Sequence, residues 1–556
     1  MRSVPARAAL LGALFAAFVT LPGLGIGTLW DNSETTYGEV AREVGLTHDW
    51  VVMHLNGQPW FVQPPLYFWI AALLAKVFGV TAFALRLPSA LATIAMGGAV
   101  GYATARIAGE RAGMIAAIVL STSLMQAIVG RLAIMDALLD FAIAAAVLWW
   151  YRALEPSGDA RRRDTAFVCG ALALAVGTLA KGPVAPVITG LVIGVWAFWE
   201  ARAGRLAAPR RRALALGALA YLAVTLPWFI ALASRVGPAA IGELIGHYTF
   251  GRYTGVIENQ TGPLWYYLPV VILGFFPWIA FVPVAAAAAL GEARRPEGGF
   301  ARLALVWTVV PFVFFSFANT KLPNYVAMVL PALAILVALW FERVRAGADR
   351  RAAVISALSI PVFVGCVAFA IDRFSRTNSL DVDLAVVNHQ LVFLGVAMLA
   401  GSVLTVVAIA RRGTAAWSPY VLALTSGALV LFIALIAEPA AEPLKPMPPI
   451  ARAIDATRKA GDTIAIGGVS GGNGLIFYTL PPVRDIKNNA GFISTICSGG
   501  TAWIVTRPQD AERLVALARS LQRSAEIIMQ APSAQHTRAA LLHVDGRACP
   551  AHERNS

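Results

Sequence analysis

The chain has 556 residues, 58% hydrophobic and only 14% charged, with a mean hydropathy of +0.67. That balance excludes an ordinary soluble domain and describes a chain that crosses a bilayer many times. The formal charge of +14 invites nucleic acid as a partner, but the basic residues lie in short clusters between apolar runs. There they set topology rather than hold a polyanion, so membrane lipids are the expected surroundings and no nucleic acid is expected.

A crossing needs about 20 apolar residues. Suitable runs lie at 8–29, 82–106, 112–129, 137–153, 165–181, 184–200, 212–233, 265–290, 301–318, 324–342, 352–371, 388–410 and 416–437. The start has the look of a signal peptide, but no small-residue cleavage site follows, so it reads as an uncleaved first span. A further run at 64–80 opens with Pro64-Pro65, carries Lys76, and is short. Charge decides how it lies. The basic clusters are Arg106 with Arg111, Arg161 to Arg163, Arg210 to Arg212, Arg294-Arg295, Arg343 with Arg345, Arg350 and Arg351, and Arg411-Arg412. They share one side, with Arg2 and Arg7, only if 64–80 stays out of the crossing count. The expectation is thirteen crossings, an inside N-terminus, and everything after residue 437 outside.

Residues 1–437 thus form the membrane domain, in which 31–81 are the first outer loop. Residues 438–556 change composition abruptly, from a Pro-rich linker (Pro439, Pro443, Pro446, Pro448, Pro449) to short strand and helix patterns. Strands are expected at 463–466 and 502–506 and an amphipathic helix at 510–524, making a small extracytoplasmic α/β domain. The Gly467–Gly474 run matches no dinucleotide fingerprint and reads as a flexible loop. Of four cysteines, none has metal-ligand spacing. Cys169 and Cys366 lie in apolar runs and read as small buried hydrophobes. Cys497 and Cys549 share the outer domain, and whether they are bridged stays open.

The first outer loop packs two carboxylates, Asp31 and Glu34, a helical run over 37–44, and the aromatics Trp50, Trp60, Phe61, Tyr67 and Trp69 into one segment. Loops that open at the mouth of a bundle are where chemistry concentrates. Either carboxylate could instead cap the helix starting near Thr35. The second loop ends in Asp136 at a helix start, where capping is again the plain alternative. Lys181-Gly182-Pro183 interrupts an apolar stretch. A lysine there costs a few kcal/mol unless it snorkels or meets an anion.

Several motifs resemble one membrane family. Tyr37-Gly38-Glu39-Val40-Ala41-Arg42-Glu43, Asp49-Trp50, Leu55-Asn56-Gly57 and Phe61-x-x-Pro64-Pro65 resemble the first periplasmic loop of the lipid A aminoarabinose transferases, which are distantly related to protein O-mannosyltransferases. Gly130-Arg131-Leu132-Ala133-Ile134-Met135-Asp136, Lys181-Gly182, Gly251-Arg252-Tyr253 and Lys321-Leu322-Pro323-Asn324-Tyr325 resemble later motifs, over roughly residues 8 to 340. The resemblance implies a GT-C glycosyltransferase, an α-helical polytopic membrane protein whose bundle of about thirteen transmembrane helices carries the small α/β domain. It implies an integral enzyme of a bacterial inner membrane, active on the periplasmic face and acting as a monomer. Such an enzyme transfers a hexose or pentose with inversion from a polyprenyl-phosphate donor to lipid A, a glycan or a protein. Asp31, Glu34 and Asp136 would then be catalytic, and Lys181, Arg252, Lys321 and Tyr325 would bind the donor phosphate.

The departures matter. The family places adjacent Asp-Glu four and three residues before its motif Tyr, and this chain has Ser33 and Glu34. Thr36 stands where the family has Arg, and Val62-Gln63 where it has Glu-Lys. His247 lies at the wrong distance from Arg252 to be the family's metal-binding His. No metal and no cofactor are therefore assigned. A transporter or flippase of lipid-linked sugars is the rival reading, but it calls for charges within spans, whereas the polar residues here gather in outer loops.

Overall fold

The computed structural model describes residues 3–156, 159–257, 260–377, 385–411, 413–469, 472–531, 539–546 and 549. Arg2 and Arg412 of the basic clusters, residues 378–384 of the expected outer loop, and Ser470-Gly471 lie outside the described residues. The chain is a multi-pass helical membrane protein bearing a small mixed α/β domain. Among the described residues, nine helices are long and apolar enough to cross a bilayer, or up to ten if one bent pair is a single span. Three more helices, Ser3–Thr20, Glu110–Ser121 and Arg350–Thr377, coincide with expected crossings. Ser3–Thr20 packs closely, with Gly12 facing Ala117 and Gly97, because only glycine and alanine allow such an approach.

Two expected spans are not single rods. The 112–129 run breaks between Glu110–Ser121 and Leu124–Val129. The 265–290 run is Leu264–Gly274 followed by Trp278–Ala293, bent by 109°. Pro277 lies in that break and lacks the N–H an unbroken helix would use.

Ion pairs gather the basic clusters at one end of the bundle. Arg7 lies 3.2 Å from Glu110, Arg106 2.7 Å from Glu155, and Arg210 3.5 Å from Asp164. Arg302, fully buried, pairs with Glu200 and donates to the carbonyls of Ala293, Arg295 and Pro296, which ties three helix ends together. The other end gathers the loops. There the first outer segment forms helix Glu34–Thr47, a short hairpin (His54–Leu55 with Gln58–Pro59), and helix Leu66–Phe78. Leu66–Phe78 is only 13 residues long, fitting the reading of 64–80 as lying outside the crossing count. Val40, Ala41 and Val44 bury against Tyr67, Phe68 and Ala71. Trp69 Nε1 donates to Trp50 O (2.8 Å) and Trp228 Nε1 to Val51 O (3.0 Å), which fastens this segment to the helix Arg211–Val236.

The C-terminal domain is a five-stranded sheet in the order Val483–Asp485, Thr463–Gly467, Ala502–Thr506, Ala539–Val544, Ala525–Ala531. The first three strands are parallel and the last two join antiparallel. Along Ala502–Thr506, Ala502 and Ile504 face Phe492, Ile496 and Leu514, while Trp503 and Val505 face Met447, Ile450 and Leu475. This two-residue alternation gives the sheet two buried faces with helices on both. The expected helix over 510–524 is Pro508–Ser520, and Ala525 already begins an edge strand. Cys497 and Cys549 form a disulfide, with Cα atoms 5.1 Å apart. Cys366 is exposed on the bundle rather than buried, so an apolar run does not by itself mean a protein interior where lipid surrounds the helix.

Candidate active site

A cavity of 1200 Å³ opens between the loop end of the bundle and the C-terminal domain. Apolar side chains from several helices, among them Leu124, Val129, Val187 and Leu273, form its floor. Its charged lining among the described residues is Asp136, Lys181 and Arg252. Asp136 opens helix Asp136–Leu154, Lys181 closes helix Ala160–Lys181, and Asn324 lies in the turn that opens the helix ending at Arg345. Lys181 Nζ lies 2.5 Å from Asp136 Oδ1, and Asn324 Nδ2 donates to the same oxygen at 2.6 Å. Both ionised side chains are nearly buried, so each holds the other's charge in place.

Arg252 arrives from another direction. Thr320 N donates to Arg252 O (3.1 Å), Asn319 N to Tyr253 O (3.0 Å) and Lys321 N to Gln260 O (2.9 Å). These bonds zip the Arg252 loop to the turn before Tyr325. Arg252 Nη1 donates to the Tyr325 hydroxyl at 3.4 Å, and Lys181 Nζ sits 5.3 Å from the centre of the Tyr325 ring. Tyr37 faces the same group. Burial pushes its phenol up to about 12, with the charges of Lys181, Asp136 and Arg252 acting on it, so it remains a hydrogen-bond donor.

Three residues expected at the site stand elsewhere. Glu34 is wholly buried outside the cavity. Its Oε1 lies 2.9 Å from Arg86 Nε and its Oε2 2.9 Å from Arg86 Nη2, while Ala133 N donates to Oε1 (2.7 Å) and Trp30 N to Oε2 (2.9 Å). With four donors in place, this carboxylate is committed to structure. Asp31 is not among the residues that line the cavity and instead accepts from Thr35 Oγ1 (3.4 Å) and from the backbone N–H of Gly474. Lys321 Nζ donates to the carbonyls of Ser316 and Ala318 (2.7 Å each), closing the C-terminal end of helix Gly299–Ser316. Free carbonyls at a helix end attract a cation without any ligand.

Four other residues carry the arrangement and were not singled out from sequence. Asn324 lay inside the Lys-Leu-Pro-x-Tyr motif at its variable position. Arg86 is a fully buried charge in an apolar run, which is itself a signal, and it also donates to the carbonyls of Leu24, Ile26 and Thr28. Asn473 comes from the C-terminal domain, and its Nδ2 donates to Thr36 Oγ1 at 2.8 Å. Gly474 follows it, and the expected flexible loop is in part a docked helix, Asn473–Thr479. A Cβ on Gly474 would fall 1.8 Å from Asp31 Oδ1, so only glycine lets this helix seat against the first loop. Among the described residues no group of three or more His, Cys, Asp or Glu side chains is arranged to hold a metal ion.

The family model for dolichyl-phosphate-mannose-protein mannosyltransferase matches residues 62–230. The undecaprenyl phosphate-α-4-amino-4-deoxy-L-arabinose arabinosyl transferase of Erwinia tasmaniensis is 31% identical over 338 residues, which is 60% of this chain and 59% of that protein. A Proteus mirabilis counterpart is 30% identical over 341 residues, 59% of this chain and 58% of that protein. The chain thus spans under two thirds of the length of the curated relatives it matches. The crystal structure of ArnT from Cupriavidus metallidurans bound to undecaprenyl phosphate aligns with TM-score 0.80 at 24% identity, over 96% of this chain and 97% of that one. The chain has the GT-C fold. An oligosaccharyltransferase from Archaeoglobus fulgidus shares it more distantly, with TM-score 0.52 at 12% identity, covering 94% of this chain and 69% of that one. The resemblance to the aminoarabinose transferases read from the motifs is borne out, and in this GT-C fold Asp136, Lys181, Arg252 and Tyr325 converge on one cavity from four separate segments.

Proposed function

We propose that the chain is a glycosyltransferase that takes a sugar from an undecaprenyl-type polyprenyl phosphate and passes it to an extracytoplasmic acceptor such as lipid A or lipopolysaccharide. The observation that carries this reading is the convergence of Lys181, Arg252 and the Tyr325 hydroxyl at the polar end of a cavity whose floor is apolar. An isoprenoid tail suits the floor, and two cations with a hydroxyl suit a leaving phosphate. The names of the curated relatives, and the lipid bound in the Cupriavidus protein, support the same donor.

The reaction follows from charge. As the bond between the anomeric carbon and the phosphate oxygen breaks, the phosphate gains negative charge, which Lys181 and Arg252 neutralise and Tyr325 hydrogen-bonds. Asp136 is the carboxylate lining the cavity, and it accepts the proton of the incoming hydroxyl. An arriving phosphate competes for Lys181 and so frees Asp136 for that role. With no second carboxylate on the cavity among the described residues, a single displacement with inversion is the step proposed. The thirteen-crossing topology, with the loop end of the bundle facing the periplasm of an inner membrane, accords with the basic end found opposite and with the disulfide in the outer domain.

Transfer assays on purified protein test the reading. Lys181→Ala or Arg252→Ala should lower kcat by about 10²–10³ while the protein remains folded by thermal melting, and Lys181→Arg should recover part of the loss. Wild-type turnover in both alanine variants would overturn it.

A further inference from the structure

Resting on the lipid-phosphate reading, the lining of the same cavity goes on to specify the sugar: we infer that the group transferred is uncharged, held by a neutral polar patch to which the C-terminal domain contributes. The charged atoms of the cavity lie at its phosphate end, where Lys181 is held by Asp136 and Arg252 by Tyr325. Next to Tyr37, which faces those charges, the lining changes character. Thr36 donates to Asn32 O and accepts from Asn473 Nδ2, and Asn32, Ser33, Thr36 and Asn473 all line the cavity. Amides and hydroxyls both donate and accept, which matches the hydroxyls of a neutral sugar ring.

A charged sugar finds no match in this lining. The ammonium of an amino sugar would need a carboxylate, and Asp136, which alone among the described residues supplies one to the cavity, is taken up by Asn324 and by the incoming hydroxyl whose proton it accepts. A uronate would compete with the donor's own phosphate for Lys181 and Arg252. Burying either ion without a partner costs several kcal/mol. Four of the motif departures, Ser33, Thr36, Val62 and Gln63, line this cavity, and all four are uncharged.

Synthetic undecaprenyl phosphates bearing a neutral hexose, 4-amino-4-deoxy-arabinose or galacturonic acid test the inference, with undecaprenyl phosphate alone as the reference ligand. Binding to the full chain in nanodiscs is measured by competition against a fluorescent undecaprenyl phosphate. The neutral donor should bind at least tenfold more tightly than either charged one. Asn473→Ala should erase most of that preference in protein that still folds and binds undecaprenyl phosphate, and Asn473→Asp should shift preference toward the amino sugar. Equal or tighter binding of a charged donor, with undecaprenyl phosphate still bound, overturns the neutral-sugar inference alone. Failure of undecaprenyl phosphate itself to bind overturns the lipid-phosphate reading, and the inference with it.

Discussion

Burial is the largest influence on the Asp31 carboxyl, outweighing the hydrogen bonds from Thr35 and Gly474 and the charge of Lys445, and it raises the pKa from 3.8 to about 7. Glu39, also buried, rises to about 7 despite Arg42 beside it. In both cases the folded chain keeps a proton that the unfolded chain releases. Their contribution to stability is therefore fully present below about pH 4 and is lost as pH rises through about 7. Asp31→Asn cannot titrate, so its thermal stability should fall less than that of wild type between about pH 5 and about pH 8, with the remaining slope due partly to Glu39. An unchanged slope would show that Asp31 is ionised throughout. At this scale the sequence was a partial guide. It marked Asp31, Glu34 and Asp136 as three similar carboxylates near helix starts, and residue type could not say which one faces the cavity. That depends on Arg86 and Gly474, which lie 52 or more positions away from the carboxylates they engage.

Single elements show where periodicity is informative and where it fails. Apolar runs located the long helices because a bilayer imposes a length on each of them. The same rule passed over the breaks at Thr122-Ser123 and at Pro277, since apolar composition does not record whether a helix continues. The spans read as nearly free of charge, and Arg86 inside helix Ala82–Ala108 is the exception that matters. Arg86 joins that helix to the segment from Leu24 to Thr28, to Glu34 and to Glu438, which lies 2.9 Å away. Through Ala133 N, Glu34 extends the junction to the loop carrying Asp136. Removing Glu34 leaves Arg86 with Glu438 as its remaining carboxylate and strips the N–H groups of Trp30 and Ala133 of their acceptor. Glu34→Ala should therefore destabilise the fold by roughly 1–3 kcal/mol for each buried group left unsatisfied, lowering the melting temperature and the folded yield. Glu34→Gln keeps one accepting oxygen, and with it one of the two backbone bonds, and should lose less. If Glu34→Ala melts like wild type yet has no activity, Glu34 acts in the chemistry and its structural assignment is wrong.

At the scale of the whole molecule, the membrane bundle and the C-terminal domain are built to close one cavity together. Asn56 pairs with Val483 through two hydrogen bonds, at 2.7 and 3.0 Å, and Tyr478 and Glu442 hold the chain at Thr28 and Leu29. Composition points to a division near residue 437, because the change from apolar spans to a Pro-rich linker and short strands is large. Their docking was not legible. It depends on the absence of a Cβ at Gly474 and on single amides at Asn56 and Asn473, none of which leaves a periodic trace. The central claim is that this shared cavity holds a lipid phosphate between Lys181, Arg252 and Tyr325. A cryo-EM structure of the full chain in nanodiscs with undecaprenyl phosphate tests it most directly. Phosphate oxygens are expected within about 3 Å of Lys181 Nζ, the Arg252 guanidinium and the Tyr325 hydroxyl, with the isoprenoid tail along Leu124, Val187 and Leu273. A phosphate bound at the basic end of the bundle, with this cavity empty, would contradict it.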